Sequence, residues 1–418
     1  MHRERLIQWI SAFAILAVGS VAQAVEFKGL DIHGYGSVGF MWSDDNNYMT
    51  ADTEDGSFEN YDVGVNAIYS LTPTLRIGAQ AKMAKLGEMG YDYPTIDWAN
   101  IDWRPMDEVG LRLGILKLPA GLYNEGRDLD MLRTTVFLPQ AIYNEQLRDF
   151  LAGQPGAQLY GNIRAGAVGS FNYNLSLVKI YVDEDESVWA NGFIDGVLMR
   201  TGLSQAQNPA AFPKDSWDLD NKYSFAGGLV WETPLEGFRL GGTLLYMDTD
   251  IEIKTKNPML PQLDVSQKLE YYAIYSAEYT INQWRFAGEY MMSKFENDIG
   301  GTVDNRKSEG YYAQANYRFN ELLELSTYYG ISYGNTDDRS GDENVRLGQI
   351  LGQPELYPDF MAWQKDFCIA ARFDINMNWL VKLEWHYIDG VNQLYVSDNP
   401  DGFDRYWNFF AIKTTYTF

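Results

Sequence analysis

The chain lacks a long apolar run in its main part. Beyond Val25, no stretch approaches the roughly 18–20 consecutive apolar residues that a transmembrane helix needs, which excludes a helical membrane protein. It has a single cysteine, Cys368, so an internal disulfide is excluded, and such a residue usually packs as a small hydrophobe. Basic residues are also scarce, with 33 Lys and Arg against 57 Asp and Glu. The resulting net charge of −24 argues against a nucleic-acid partner.

The N-terminus has the order of features found in a secretory signal peptide. Arg3 and Arg5 precede a mostly apolar segment, 6–21, and Ala22 and Ala24 provide small residues around a cleavage point. We therefore expect a signal peptide over 1–24 and an exported mature chain over 25–418.

The rest of the chain alternates between apolar and polar residues with a period of two. This pattern predicts strands whose two faces meet different solvents. The final residues show it, with Phe410, Ile412, Thr414, Tyr416 and Phe418 on one face and Ala411, Lys413, Thr415 and Thr417 on the other. Two further examples are the apolar positions Leu269, Tyr271, Ala273 and Tyr275, and the apolar positions Trp379, Val381, Leu383, Trp385 and Tyr387 against Lys382, Glu384 and His386.

About sixteen such segments occur, at the ~10-residue length that a tilted membrane strand requires. Their predicted spans are 31–42, 61–71, 74–86, 95–103, 109–117, 155–163, 171–182, 223–232, 238–249, 266–280, 283–295, 308–319, 322–334, 363–374, 378–389 and 405–418. Lipid cannot satisfy the unpaired edges of an open sheet, so the sheet must close. The predicted fold is an all-β, closed antiparallel transmembrane barrel.

The linkers between these segments mostly alternate between short and long. Short linkers are 72–73, 104–108, 233–237, 281–282, 320–321 and 375–377; long ones are 43–60, 118–154, 183–222, 250–265, 296–307, 335–362 and 390–404, and 87–94 is the shortest of the long set. Short periplasmic turns and long external loops are typical of outer-membrane barrels. The alternation therefore predicts an outer-membrane location with both termini in the periplasm.

The chain resembles Gram-negative outer-membrane porins over essentially its whole mature length. The glycine-rich and aromatic segment 32–39 resembles their first strand, and Tyr416 and Phe418 resemble the C-terminal signal read by the outer-membrane assembly machinery. The resemblance implies a water-filled channel for passive diffusion of small hydrophilic solutes or ions, a homotrimer, and contact with lipid and lipopolysaccharide. It also implies that the third external loop, here 118–154, folds inward as a constriction.

Charged residues in 118–154 are candidates for that constriction: Glu125, Arg127, Asp128, Asp130, Arg133, Glu145, Arg148 and Asp149. A purely external loop has little need for the apolar segment 136–138, which favours packing against the inner wall. Strand parity places Arg76, Lys82 and Arg112 on the lumen face nearest this loop, and Arg239, Arg285, Arg318 and Arg372 on later strands. A basic wall opposite an acidic loop would impose a transverse field on passing ions. The alternative is a surface loop that shields the trimer or binds lipopolysaccharide.

Other functions are less well supported. An outer-membrane barrel enzyme would need a base beside a nucleophile or activated water, but the mature chain has only His33 and His386, which are expected near opposite ends of the barrel. A non-conducting structural or adhesin barrel is a further alternative. Acidic clusters in the external loops, including 183–186, leave Ca²⁺ or Mg²⁺ bridging open. No cofactor and no metal ligand is assigned from the sequence.

Overall fold

The computed structural model describes residues 25–27, 29–183, 187–204 and 214–418. The expected signal peptide, 1–24, lies outside these residues. Glu184, Asp185 and Glu186 of the acidic run at 183–186 also lie outside the described residues, as does the side chain of Asp149.

Strands make up most of the described chain. In order they are β1 (Val25–Phe27), β2 (Leu30–Ser43), β3 (Ser57–Thr72), β4 (Leu75–Leu86), β5 (Met89–Met106), β6 (Val109–Lys117), β7 (Gly153–Arg164), β8 (Ser170–Val178), β9 (Lys214–Glu232), β10 (Phe238–Thr255), β11 (Gln262–Ile281), β12 (Trp284–Ile299), β13 (Thr302–Arg318), β14 (Leu323–Tyr333), β15 (Trp363–Asp374), β16 (Trp379–Gly390) and β17 (Tyr406–Thr417).

Strands β2 to β17 form a closed barrel of sixteen strands within the described residues. Each pairs antiparallel with the next, and β17 pairs back with β2 through a register that runs from Phe409 opposite Ser43 to Thr417 opposite Tyr35. The short β1 folds against the beginning of β2. Closure leaves no barrel strand with an unpaired edge, which is the condition that lipid imposes on a sheet. The predicted fold class and strand count are confirmed.

The connections alternate as the sequence predicted, but three external links are shorter than expected. The linkers 250–265 and 296–307 are mostly strand, because β10, β11, β12 and β13 continue pairing to turns at 256–261 and 300–301. The linker 87–94 shrinks to a two-residue turn between β4 and β5. Several strands reach 18–20 residues, well beyond the ~10 that cross a bilayer. The sequence periodicity underestimated them because it weakens where both faces meet water.

The two barrel faces differ as a membrane wall requires. Outward-facing side chains form an exposed apolar surface that includes Val65, Ile101, Leu113, Leu229, Tyr275, Phe286, Phe410 and Ile412. Inward-facing positions of the same strands carry polar and charged groups such as Lys82, Glu289, Lys382 and Lys413. Within the described helices, no segment is both long enough and apolar enough to cross a bilayer.

One predicted face was wrong at the outer part of β11. The sequence placed Leu269 and Tyr271 on the same face, but the pairing of β11 with β12 shifts between these two residues. This bulge inserts one extra residue, so Leu269 points inward and is buried, whereas Tyr275 is exposed to the outside. A single inserted residue reverses the parity of every position before it.

Most of the described helices lie in the external loops, and residues 118–152 together with helix Val188–Ser204 contribute buried apolar side chains to the barrel interior. The α-helices are Arg148–Leu151, Val188–Ser204 and Asp342–Leu351, and the 3₁₀ turns are Asn124–Gly126, Asp130–Leu132, Glu145–Leu147, Gly166–Val168, Pro354–Leu356 and Asp359–Ala362. Helix Val188–Ser204 was not predicted from the sequence. Its buried residues Ala190, Ile194, Val197 and Leu198 follow helical spacing and join an apolar cluster with wall residues of β10 and β11.

Candidate functional site

The loop between β6 and β7, residues 118–152, folds into the barrel. Val136, Phe137, Ile142 and Tyr143 within it are between 1 and 5% exposed. The wall has no side chain at Gly310 of β13, where the loop approaches most closely. A Cβ added there would lie 2.0 Å from the Ala141 carbonyl oxygen. The loop backbone therefore lies directly against the wall, and the prediction that 136–138 packs inside the barrel agrees with these contacts.

Asp128 is the first ionic anchor of this loop. Its carboxylate is 2.5 Å from Nζ of Lys82 on β4 and also contacts Lys117 on β6 and Arg148 of the loop. Burial by itself would raise the pKa of Asp128, but the surrounding cations, led by Lys82 and Arg148, hold it well below the usual range. The carboxylate stays charged and fixes the loop to the β4–β6 wall.

Asp130, only two residues further on, is the second ionic anchor. It lies 3.0 Å from Lys413 on β17 and 3.4 Å from Lys382 on β16, and it accepts a hydrogen bond from Thr415 at 2.8 Å. Arg133 of the loop donates to the same carboxylate at 2.9 Å. Burial opposes ionisation, but these cations keep the pKa of Asp130 well below its ordinary value. Two acids two residues apart thus bind opposite flanks of the wall segment β16–β17–β2–β3–β4–β5–β6.

A third ion pair stabilises the loop internally. Arg127 donates to Glu145 at 3.0 Å and to the Tyr143 carbonyl at 3.1 Å, while Arg148 reaches Glu145 at 3.3 Å. Burial favours the neutral acid, yet Arg127 and Arg148 outweigh it and hold the pKa of Glu145 at about 2. These bonds join the two arms of the loop.

On the opposite side of the barrel the loop is held by neutral donors. Glu289 on β12 accepts hydrogen bonds from the Tyr143 hydroxyl, from Leu122 N at 2.9 Å, and from Ser276 and Tyr312 of the wall. Tyr123 donates to Glu278 on β11 in the same way. Nearer the external end of β11, the Tyr272 hydroxyl donates to the Ile142 carbonyl at 3.1 Å. The loop is therefore anchored on both sides of the lumen.

A cavity of about 400 Å³ remains between the loop and the wall formed by β3, β4 and β5. It extends from the outer rim, at Tyr91 and Asp183, to the middle of the wall, at Asp62 and Lys82. Six basic side chains line it: Lys82, Lys85, Arg127, Arg133, Arg148 and Lys413. Its acidic lining residues are Asp62, Asp97, Glu145 and Asp183, whereas Asp128 and Asp130 lie behind this surface.

The predicted site residues are only partly brought together. Lys82, Asp128, Arg148, Glu145 and Arg127 form one cluster of ion pairs. Asp130 and Arg133 form a second pair, which is joined to the first cluster because Arg133 donates a hydrogen bond to the Arg127 carbonyl. Glu125 lies apart from it and accepts a hydrogen bond from Asn174 of β8 at 2.8 Å. Arg76 and Arg112 face inward, but within the described residues neither forms a hydrogen bond or an ion pair with loop 118–152. They bind Asp102 of β5, at 2.6 and 3.5 Å, and Arg112 stacks over Tyr160. These two arginines belong to a separate periplasmic-side wall network.

The later inward arginines are also distributed rather than clustered. Arg239 pairs with Glu278, Arg285 with Glu324, and Arg318 with Asp374. Arg372 alone of the four touches the loop, by donating to the Met131 carbonyl at 2.5 Å. The expected opposition of a basic wall and an acidic loop takes the form of direct ion pairs rather than charges facing each other across open water.

Four members of the ionic cluster were not selected from the sequence: Asp97, Lys117, Lys382 and Lys413. Parity had placed Lys382 and Lys413 on the lumen face, but nothing in the linear pattern shows that both meet Asp130. Lys117 ends β6 next to the loop, 3.0 Å from Asp97 of β5. Its position as the last residue before a charged loop was a usable signal.

Comparisons with known proteins identify the architecture. No protein-family model matches the chain, and no curated protein matches it in sequence. Solved structures do match. OmpT of Vibrio cholerae superposes with a TM-score of 0.52 at 11% identity, covering 95% of this chain and 100% of that one. The outer-membrane channel DcaP of Acinetobacter baumannii gives 0.54 at 9% identity, and OmpF of Salmonella typhi, in complex with daunomycin, gives 0.54 at 13%, both with the same two coverages.

Identities this low establish the fold alone. That fold agrees with the closed wall, its apolar outer surface and its inward-folded loop. It also confirms, at the level of architecture, the resemblance noted in the sequence. The chain has the closed sixteen-stranded β-barrel fold of the outer-membrane channels and porins with which it superposes.

Proposed function

We propose that this barrel is a channel for passive diffusion of small hydrophilic solutes, with loop 118–152 as its filter. The observation that carries the proposal is the charged cavity of about 400 Å³ between that loop and strands β3–β5. A purely structural barrel would have no need for a cavity lined by ten charged residues, six basic and four acidic. Apolar filling of the kind present on the opposite side would be more stable there, because buried ion pairs contribute little net stability.

The path would run along the β3–β5 wall rather than through the centre. Loop contacts with β10–β13 leave apolar packing on the other side, where Leu118, Ile142, Leu245 and Leu269 are buried together. Ions do not cross such packing, because an unpaired charge in an apolar environment costs several kcal/mol or more. Solutes would thus meet Lys82, Arg148 and Lys413 at the narrowest level.

We further propose a preference for anions. Six basic side chains line the cavity against four acids, and Asp128 and Asp130 are turned toward the wall lysines. The large negative charge of the whole chain acts mostly from the outer loops. Over distances beyond about 8–10 Å, salt screens it at physiological ionic strength.

The test is conductance in a planar bilayer, followed by reversal potential under a salt gradient. We expect stepwise conductance, and Lys85→Glu, at the rim of the cavity, should shift the reversal potential toward cations. Lys256→Glu is the matched control, because Lys256 is an exposed lysine in the external turn between β10 and β11, on the apolar side. Absence of stepwise conductance would support the structural or adhesin alternative. Equal shifts in both variants would remove the cavity from the path.

Catalysis is not part of the proposal. His33 is exposed near the beginning of β2, and both ring nitrogens of the buried His386 are hydrogen-bonded to carboxylates, Asp366 and Glu384. Neither arrangement presents a free base to a substrate. The homotrimer and the role of Tyr416 and Phe418 in assembly stay predictions; chemical crosslinking of the folded protein tests the first, and insertion of a Phe418→Ala variant tests the second.

A further inference from the structure

A compact group of metal-ligating side chains lies on the inner face of β15 and β16. Cys368 of β15 is directly opposite His386 of β16 in the strand register. Glu384 precedes His386 by two residues and so shares its face. One ligating atom from each of the three residues lies within 4.8 Å of the other two, the one such group among the described residues. The cysteine, the glutamate and the histidine are 0, 4 and 2% exposed.

A second carboxylate orients the histidine. Nδ1 of His386 is 2.8 Å from Oδ1 of Asp366, and Nε2 is 2.6 Å from Oε1 of Glu384. Asp366 itself accepts a hydrogen bond from the Tyr328 hydroxyl at 2.7 Å. A carboxylate that accepts from one imidazole nitrogen fixes the ring and directs the other nitrogen to a metal, as is common around protein metal sites. Asp366 therefore has the position of an orienting group, and Glu384 that of a ligand.

The surroundings are aromatic and dry. The His386 ring meets Phe409 edge-on with centroids 5.5 Å apart, and Tyr328 at 6.0 Å. A shell of this kind excludes competing water and strengthens bonds to a bound cation. Oε2 of Glu384 also accepts from Val136 N at 2.5 Å, so the group touches the inward-folded loop.

We propose that Cys368, His386 and Glu384 bind one divalent transition-metal ion of the zinc type, with Asp366 holding the histidine. Thiolate and imidazole ligands select such ions over Ca²⁺ and Mg²⁺, which prefer oxygen alone. Three protein ligands leave the fourth tetrahedral position to one water of the ion's own hydration shell, which enters with the ion. The metal replaces the proton between Nε2 and Glu384 and the thiol proton of Cys368, so two protons leave to solvent for each ion bound.

The required movement is small. Ligand atoms at usual Zn–N and Zn–O distances in a tetrahedral site lie about 3.4 Å apart. The contact between Nε2 and Oε1 must therefore widen by less than about 1 Å, which a rotation of the Glu384 carboxylate supplies. The site goes beyond the proposed channel function and does not depend on it.

Cobalt is the probe that tests this site in the full chain, folded in detergent and stripped with a chelator. We expect one Co²⁺ per chain and a thiolate-to-cobalt charge-transfer band in the near ultraviolet, lost on addition of Zn²⁺. Cys368→Ser should abolish the band. Asp366→Asn should retain it but weaken cobalt affinity by about 10–100-fold, as changes at orienting groups usually do. His33→Gln, which alters the other mature histidine, should change neither.

Absence of the band in a wild-type protein whose free thiol is verified after unfolding would overturn the proposal. The same holds for a band that persists with equal affinity in His386→Gln. Where a variant fails to fold, X-ray absorption at the zinc edge of the wild-type protein decides. One sulfur in the first shell supports the site, and a shell of nitrogen and oxygen alone overturns it. Each readout is independent of conductance, so failure of the channel proposal leaves it unaffected.

Discussion

The two halves of the barrel interior are built by different means. Along β8–β13, apolar side chains of the wall, of loop 118–152 and of helix Val188–Ser204 form one packed core that includes Ile194, Ile251, Ile253 and Leu269. Along β16, β17 and β2–β6, the same loop meets the wall through ion pairs around Asp128 and Asp130, next to an open cavity. A smaller apolar cluster, in which Val136 and Phe137 of the loop pack with Met41, Trp407 and Phe409 of the wall, lies beside these ion pairs. Apolar side chains pack closely and exclude water, whereas charged groups that lack a full set of partners must stay hydrated. The comparison indicates which half is filled by apolar packing and which half retains the cavity that the proposed channel would use.

The largest expected effect is in the ionic half. Asp128→Asn removes the charge that Lys82, Lys117 and Arg148 share, and leaves each of these cations with one remaining acid, Asp62, Asp97 and Glu145 respectively. Breaking a buried pair in this way costs about 3–5 kcal/mol. We expect the loop to leave the β4–β6 wall, with higher single-channel conductance and faster proteolysis within 118–152. Asp107→Asn, at an exposed turn, is the control and should match the wild type. Unchanged conductance and proteolysis in Asp128→Asn would show that apolar contacts alone hold the loop.

The apolar half should respond in stability rather than in conductance. Ile194→Ala empties a fully buried position on helix Val188–Ser204 and should destabilise its packing by about 2–5 kcal/mol. Ile350→Ala, on the exposed face of helix Asp342–Leu351, should cost less than about 0.5 kcal/mol. Hydrogen exchange of the two helices measures the difference. A conductance change in Ile194→Ala as large as that of Asp128→Asn would contradict this division of the interior.

Acid should affect only the ionic half. The pKa of Glu145 is about 2 in the folded protein, below the ordinary glutamate value, so its contribution to stability is complete above about pH 4.5 and falls as the pH approaches 2. Asp128 and Asp130 have pKa values shifted in the same direction. Conductance should therefore stay constant from pH 7 to about 4.5 and rise below it as the loop is released. A transition centred near pH 6 would show that a different group controls the loop.

The smallest expected effect is at the periplasmic wall. Arg76→Gln removes a partner of Asp102, but the arginine side chain is 47% exposed, so its ion pair contributes about 0–1 kcal/mol at most. Arg112 still compensates Asp102. We expect folding to be unaffected and the reversal potential to change less than in Lys85→Glu. A larger shift of the reversal potential in Arg76→Gln than in Lys85→Glu would show that the filter lies at this periplasmic level and not in the cavity.

The wall could be predicted from the sequence, but the site could not. Alternation around Lys382 and Lys413 showed that both face the lumen, because period two depends only on local chain geometry. That both reach Asp130 depends on where a 35-residue loop crosses the barrel, and the sequence contains no distance information across it. The bulge at Leu269 and helix Val188–Ser204 were missed for related reasons, since one inserted residue leaves no pattern in the sequence and the helix sequence lacks an amphipathic pattern, so both are determined by packing partners.

Closure and strand number follow from the sequence by itself, because lipid on one side and water on the other impose the same period on every strand. Tertiary structure decided how the lumen is divided. The loop's acids could pair with any inward cation, and only the closed wall selects Lys82 and Lys117 for Asp128 and Lys382 and Lys413 for Asp130. Coulomb attraction depends on the separation of the charges, and the separations across the lumen are fixed only once the barrel has closed.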